Sequence, residues 1–196
     1  GKYVVKAQVL EGGRGKRGLV RVTDDPQAVI DELRKQGVKQ FLVEEFVPHD
    51  REVYLAALMD RDSGEPMIAA SPTGGVDVEQ NAQVRTFVIP MERGVRDYDV
   101  IKIERHVGLK GLKEVVRALY TLVVDYDAEL AEINPLAVTP EGPIALDAKV
   151  IIDDNALFRH KDLLEKFGRT YSPEPYVDLG GDIGIISNGA GLTMAT

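Results

Sequence analysis

The chain has no cysteine, so disulfide staples and thiolate metal sites are both excluded. It has only three histidines, His49, His106 and His160, which no spacing joins into a cluster. Lysine and arginine total 24 against 32 acids, for a net charge of -8, and the cations form no basic run. That speaks against a nucleic-acid footprint and against adhesion to anionic membranes, so neither partner is expected. No apolar stretch reaches the length of a membrane span, and no signal-peptide pattern opens the chain. It begins at Gly1 and enters an apolar strand at once, as a segment of a longer protein would. What the chain does have is a 44% apolar composition, enough for a proper core in one large domain or a domain plus a piece of another.

The most informative stretch is DAELAEINPLAVTPEGPIALDAK, Asp127 to Lys149, which reads as a β-hairpin turning at Thr139-Pro140-Glu141-Gly142. With Pro140 and Glu141 as the two loop residues, Asn134 faces Asp147 and Glu132 faces Lys149. Strand alternation then puts all four on one face. Facing Asp and Asn oxygens suit a hard cation such as Mg²⁺, whose remaining ligands are water and phosphate. A solvated face with a cross-strand ion pair accounts for the same residues equally well.

The chain opens with a strand, YVVKAQVL, that embeds Lys6 among apolar residues. Glu11 to Gly18 follows, with four glycines and three cations in eight residues, and a short strand comes after it at Leu19 to Val22. This is a hairpin whose tip can lie over phosphates, because glycine allows close backbone approach and the cations meet the anion. It is neither a Walker loop nor a dinucleotide fingerprint, since a strand and not a helix follows. A solvated hairpin tip is the competing account.

Asp24-Asp25-Pro26 starts a helix that ends at Gly37. Gln40 to Val47 and Glu52 to Met59 are strands joined by a turn containing His49, which reads as solvated. Glu44, Glu45 and Glu52 either face water or bind ligand hydroxyls and amines. Met67 to Ala70 and Gln83 to Pro90 read as strands. Asp97 to Asp125 follows helical periodicity, broken at Gly108 and Gly111, with His106 as a C-terminal cation. Asp153-Asp154-Asn155 caps a helix from Ala156 to about Phe167 carrying a solvent-facing His160. YSPEPYVD is a linker by composition. DIGIISNGAGLTMAT then reads as the strand, turn and helix start of a new α/β domain.

VVKAQVLEGGRGKRG, FLVEE with REVYL, SPTGGVDVE, AEINPLAV with LDAK, DDNALFR and NGAGLTMAT occur here in one order. That order resembles the family of NDP-forming acid–CoA ligases, which takes in the β subunits of succinyl-CoA synthetase and the malate-CoA ligases. The likeness covers essentially all 196 residues. It implies an α+β chain with an ATP-grasp fold of mixed or antiparallel sheets flanked by helices, lacking its N-terminal part. A Rossmann- or flavodoxin-like ligase domain would follow it. The implied boundaries are residues 1–170 for ATP-grasp, 171–181 for the linker and 182–196 for the start of the ligase domain.

Carried over by residue, the resemblance gives Lys6 as a phosphate-contacting lysine and Gly13, Arg14 and Gly15 as the loop closing over the phosphates. Glu44, Glu45 and Val47 fall in the hinge strand at the base, and Glu52 is the acid near the ribose. Asn134 and Asp147 become the Mg²⁺ ligands, Glu132 the glutamate that orients a phosphorylated histidine, and Asn188 a carboxylate-substrate residue. Glu45 and Phe46 stand where the family carries smaller hinge residues. The implied partners are ATP or GTP, a carboxylate such as succinate, and an α subunit bearing the phosphohistidine and the CoA site. The implied compartment is the cytoplasm, or the mitochondrial matrix in a eukaryote. An ATP-grasp ligase that passes an acyl phosphate to an amine and a non-catalytic nucleotide scaffold are the competing functions.

Overall fold

The computed structural model describes residues 1–9, 13–75, 83–168, 180–186 and 189. By contacts the chain divides into Gly1–Asp154 and Asn155–Thr196.

The first unit holds two antiparallel sheets, each with its own core, the smaller covered by one helix and the larger by two. The smaller has the order β2-β1-β3, from β1 (Tyr3–Ala7), β2 (Val20–Thr23) and β3 (Phe41–Glu45). Helix α1 (Pro26–Lys35) covers it, burying Leu33 beside Val5, Ala7, Leu19 and Val38. Its start follows from the sequence: the Asp25 carboxylate accepts the Ala28 N–H at 3.2 Å, and Pro26 sits where a missing N–H costs nothing.

The larger sheet runs β6-β5-β4-β7-β8, with β9 also paired to β7. Its strands are β4 (Arg51–Met59), β5 (Pro66–Ser71), β6 (Arg85–Val88), β7 (Ala128–Thr139), β8 (Gly142–Ala145) and β9 (Ala148–Ile152). Helices α2 (Asp97–Val107) and α3 (Lys113–Val124) pack on this sheet. Their 3.6-residue stripe of Val100, Ile103, Val107, Val116, Leu119 and Val123 meets Leu55, Ala57, Ile68, Ala131 and Leu136 in one core. The break foreseen at Gly108 is real: Gly108 ends α2 in the left-handed conformation at φ 66°.

The second unit departs from expectation. A 3-10 helix (Asp154–Arg159) precedes a short α4 (Lys161–Lys166), where one longer helix was anticipated. His160 is not solvent-facing; it is 7% exposed at the N-cap of α4. Residues 180–186 form no strand and leave Ile183 and Ile186 exposed, in keeping with the absence, among the described residues, of a ladder partner. The rest of the anticipated Rossmann-like start, Asn188 included, and nearly all of the linker lie outside the described residues.

Candidate functional site

The hairpin forms in the expected register. Thr139 pairs with Gly142, Glu132 with Lys149 and Ile133 with Ala148, and the Asn134 N–H donates to the Asp147 carbonyl at 3.2 Å. The outer strand is interrupted at Leu146-Asp147, between β8 and β9. That gap leaves the Leu146 carbonyl and the Asp147 carboxylate available to other parts of the chain. On the other side of β7, the pairing with β4 slips between Val53 and Leu55, so Asn134 and Pro135, joined by a cis peptide, bulge opposite Tyr54. A bulge of this kind re-aims a side chain and interrupts the ladder locally.

Both cations that the sequence singled out reach the hairpin gap. Arg14 donates from Nη2 to Asp147 Oδ2 at 2.5 Å and from Nη1 to the Ala7 carbonyl at 3.1 Å. Lys6, whose side chain is 11% exposed, donates to the Leu146 carbonyl and pairs with Glu44 Oε2 at 2.5 Å. Lys6 lies opposite Leu42 and Val4 opposite Glu44 in the β1–β3 ladder, so the Lys6–Glu44 pair is a diagonal cross-strand contact. Two cations and two carboxylates thus gather where the small sheet meets the hairpin. Gly13, at φ 70°, opens the turn that presents Arg14, and Gly15 closes it by accepting the Gly18 N–H at 3.1 Å.

The amide of Asn134 is held just as firmly. Its Oδ1 accepts the Gly75 N–H at 2.7 Å and its Nδ2 donates to the Gly75 carbonyl at 3.1 Å. Gly75 in turn lies against Glu52, since a Cβ built on it would stand 3.3 Å from Glu52 Oε2. The preceding Gly74 donates its N–H to the Glu52 carbonyl at 2.9 Å, and a Cβ there would meet the Val53 carbonyl oxygen at 2.6 Å. Only glycine fits so close to another backbone. Beyond Glu52, His49 bridges to Val47: Nε2 faces Glu52 Oε1 at 3.0 Å and Nδ1 faces the Val47 carbonyl at 2.7 Å. The Val47 carbonyl first, and the Glu52 carboxylate second, raise the His49 pKa above its ordinary 6.5, against the opposing effect of burial.

Val47, Glu52 and Asn134 are therefore linked through His49 and Gly75, and Glu44, Lys6, Asp147 and Arg14 through the hairpin gap. Glu132 stands two residues before Asn134 on β7 and half-buried, opposite Lys149. Glu45 stands apart: it pairs with Tyr3 at the far end of β3 and is exposed. Asn188 is outside the described residues. The structure adds His49, Gly74, Gly75 and the Leu146 carbonyl to the set. His49 is not the solvated histidine its turn suggested, and only the Gly-Gly pair carried a signal of close backbone approach. His106, expected as a helix-terminal cation, sits in the last turn of α2 with Nε2 2.9 Å from the Gln83 carbonyl and 3.2 Å from that of Ala70.

Asn134 and Asp147 each offer an oxygen of the kind a hard divalent cation takes. Asp147 offers a carboxylate whose side chain is 40% exposed and which already draws a guanidinium. Asn134 Oδ1 spends one lone pair on Gly75 and keeps the other. No group of three or more His, Cys, Asp and Glu gathers at a metal-binding distance among the described residues. Two protein oxygens with water and phosphate completing the shell is the pattern Mg²⁺ favours.

Two antiparallel sheets flanked by helices, with a cationic loop from the small sheet laid on the hairpin of the large one, define a class. The ATP-grasp domain model matches residues 1–138, and the chain belongs to the ATP-grasp family. Among curated relatives it is 43% identical, over 98% of its length, to the succinate–CoA ligase [ADP-forming] subunit β of Pyrobaculum aerophilum. It is 42% identical, over its whole length, to the same-named protein of Syntrophotalea carbinolica. The chain spans 59% and 60% of the length of these two relatives. Among solved structures it superposes on an ATP citrate lyase from Methanothrix soehngenii, bound to citrate and coenzyme A, with a TM-score of 0.64 at 26% identity. That match covers 92% of this chain and 45% of the other. An acetyl-coenzyme A synthetase from Ca. Korarchaeum cryptofilum, bound to coenzyme A and Mg-AMPPCP, shares the fold at a TM-score of 0.58 and 21% identity, over 77% of this chain and 76% of the other.

Proposed function

We propose that this chain is the nucleotide-binding portion of the β subunit of an acid–CoA ligase, with the reaction carboxylate + CoA + NTP ⇌ acyl-CoA + NDP + phosphate. The observation that carries the reading is the joining of Lys6, Glu44, Arg14 and Asp147 at the gap in the hairpin, in register with Asn134. The names of the curated relatives favour succinate as the acid and ADP as the released nucleotide. A partner α subunit supplies the phosphohistidine and the CoA site, and the enzyme works in the cytoplasm. No described helix is long and apolar enough to cross a membrane.

In this reading the Val47 backbone receives the base and Glu52 a ribose hydroxyl. Lys6, Arg14 and the amides around Gly13 and Gly15 surround the polyphosphate with positive charge, and the loop keeps water from it. Asn134 and Asp147 would hold Mg²⁺, which when bound would neutralise phosphate charge. Glu132 receives the partner's imidazole: a carboxylate there favours the charged ring and fixes its orientation. Asn188 contributes on the carboxylate side.

The carrier histidine has to come from elsewhere. His160 is buried, His106 faces backbone carbonyls, and His49 bridges Val47 and Glu52. The chain incubated with γ-³²P-ATP and Mg²⁺ should therefore bind nucleotide yet acquire label only on an added α subunit. Labelling of His49, His106 or His160 at a catalytic rate would sink the two-subunit scheme. A Mg-nucleotide thermal shift with no label on the added α subunit would favour the scaffold reading, and absence of any shift would overturn the nucleotide reading itself.

A further inference from the structure

His49 is the titratable side chain of the site that neither its turn position nor the resemblance assigned a task. Its ring lies half-buried, 14% exposed at the side chain, beside Phe46 at 6.2 Å between centroids. Together with Glu52, Thr73 and Gly74 it lines an open cleft. Both ring nitrogens face atoms that only accept hydrogen bonds: a backbone carbonyl at 2.7 Å and a carboxylate oxygen at 3.0 Å. A neutral imidazole carries one N–H, so it can satisfy one of these and must turn a lone pair on the other. An imidazolium satisfies both.

We propose that His49 is a positioning residue that, as an imidazolium, ties the Val47 carbonyl to the Glu52 carboxylate, so that nucleotide binding is coupled to uptake or retention of a proton. The inference rests on the nucleotide reading of Val47 and Glu52 given above. Its consequence is geometric as well as electrostatic. Glu52 Oε1 takes the His49 bond, while Oε2 lies where a side chain on Gly75 would press. Gly75 is the residue that grips Asn134. Loss of the proton frees Glu52 to rotate and adds one net negative charge beside a site meant for a polyanion.

The charged groups around the ring all fit this sense. Glu52 and Asp50 both favour the cation. Arg51, the neighbouring positive charge, points its guanidinium at the Val107 and Gly108 carbonyls at 3.2 and 2.7 Å, capping α2. Because the folded pKa is raised, the bridge is intact below the ordinary 6.5 and is lost as pH climbs through the raised value. Nucleotide affinity should be full near pH 6 and decline toward pH 9.

The test uses the intact chain with Mg-ADP as the probe. Calorimetric Kd values from pH 6 to 9 should weaken about tenfold in wild type across the His49 transition, one pKa unit of coupling corresponding to tenfold. His49→Gln keeps an amide donor with no proton to lose; it should bind Mg-ADP with a shallower pH slope, and the difference between the two slopes removes the titration of ADP itself. With three histidines in the chain, ¹⁵N NMR resolves His49 directly. Its pKa in the free protein should exceed 6.5 and rise by about one further unit with Mg-ADP, as reciprocity demands. Equal slopes for wild type and His49→Gln, or a His49 pKa indifferent to Mg-ADP that does bind, overturn the inference and leave the nucleotide site standing. Failure of Mg-ADP to bind at any pH overturns the nucleotide reading, and the inference with it.

Discussion

Gly74→Ala is the substitution for which the structure sets the size of the effect. The added Cβ would stand 2.6 Å from the Val53 carbonyl oxygen and 2.9 Å from its carbon, both backbone atoms that cannot swing aside. Ordinary contact begins near 3.4 Å, so the loop must retreat by about 0.8 Å. The bond from the Gly75 N–H to Asn134 is 2.7 Å long, and the same retreat takes it to the outer limit of a hydrogen bond. The Gly74–Glu52 backbone bond, at 2.9 Å, suffers likewise. Overpacking of this kind costs about 1–3 kcal/mol and each of the two weakened bonds about 0.5 kcal/mol, giving a destabilisation of roughly 2–4 kcal/mol. For a chain of this size that is a fall in Tm of about 5–15 °C. The loss of Mg-nucleotide affinity should exceed what the unfolded fraction explains, because Asn134 and Glu52 are displaced together. Gly64→Ala is the control: its Cβ meets nothing, and its φ of 70° costs about 1 kcal/mol with no effect on nucleotide. A Gly74→Ala protein with wild-type Tm and wild-type Mg-nucleotide Kd would refute the linkage of Glu52 to Asn134 through Gly74 and Gly75.

Asp147→Asn removes the charge facing both Arg14 and the candidate cation, so the ratio of nucleotide Kd without and with Mg²⁺ should fall about tenfold by calorimetry; an unchanged ratio would remove Asp147 from the metal site. Lys6→Met should weaken nucleotide binding at least tenfold while costing less than about 2 kcal/mol of stability, since its partner Glu44 is 44% exposed and can rehydrate; a large stability loss with unaltered affinity would make Lys6 structural only. Asp25→Ala deletes the α1 cap and should lower stability by about 1 kcal/mol in a denaturant titration, leaving nucleotide affinity untouched.

Much of this is legible in the sequence. The 139–142 turn carried its own register, because a two-residue loop determines every cross-strand partner behind it, down to Glu132 against Lys149. Helix α1 followed from its Asp25-Pro26 start, α2 and α3 from their apolar period broken at Gly108 and Gly111, and the Lys6 strand from a cation set in an apolar run. What the sequence could not carry was non-local. That Arg14 would reach Asp147, 133 positions away, depends on how one sheet's loop meets another sheet's edge, and no local pattern encodes it. The interruption at Leu146-Asp147, within a run that alternates like any strand, was equally invisible. His49 was misread because a turn position says nothing of which carbonyl and carboxylate will close on the ring. The helix beginning near Asp154 was overestimated for a related reason: good capping residues start a helix, but its length depends on packing that propensity does not report.

These non-local contacts share a location. The apolar residues of the first unit form two separate cores, one around Val5 and Leu33 and one around Leu55, Ile103 and Leu136. Polar side chains span the ground between them, Lys6 and Arg14 from the small sheet reaching the Leu146 carbonyl and the Asp147 carboxylate of the hairpin. Apolar contact would weld the two sheets by dispersion and area, indifferent to ionic ligands. Charged contact can exchange partners: in the proposed function an incoming polyphosphate would compete for Lys6 and Arg14, and a divalent cation for Asp147. The same three charges that join the sheets in the free chain are therefore the ones a metal-bound nucleotide would rearrange, and in the proposed function seating of Arg14 and loading of the site would be a single equilibrium.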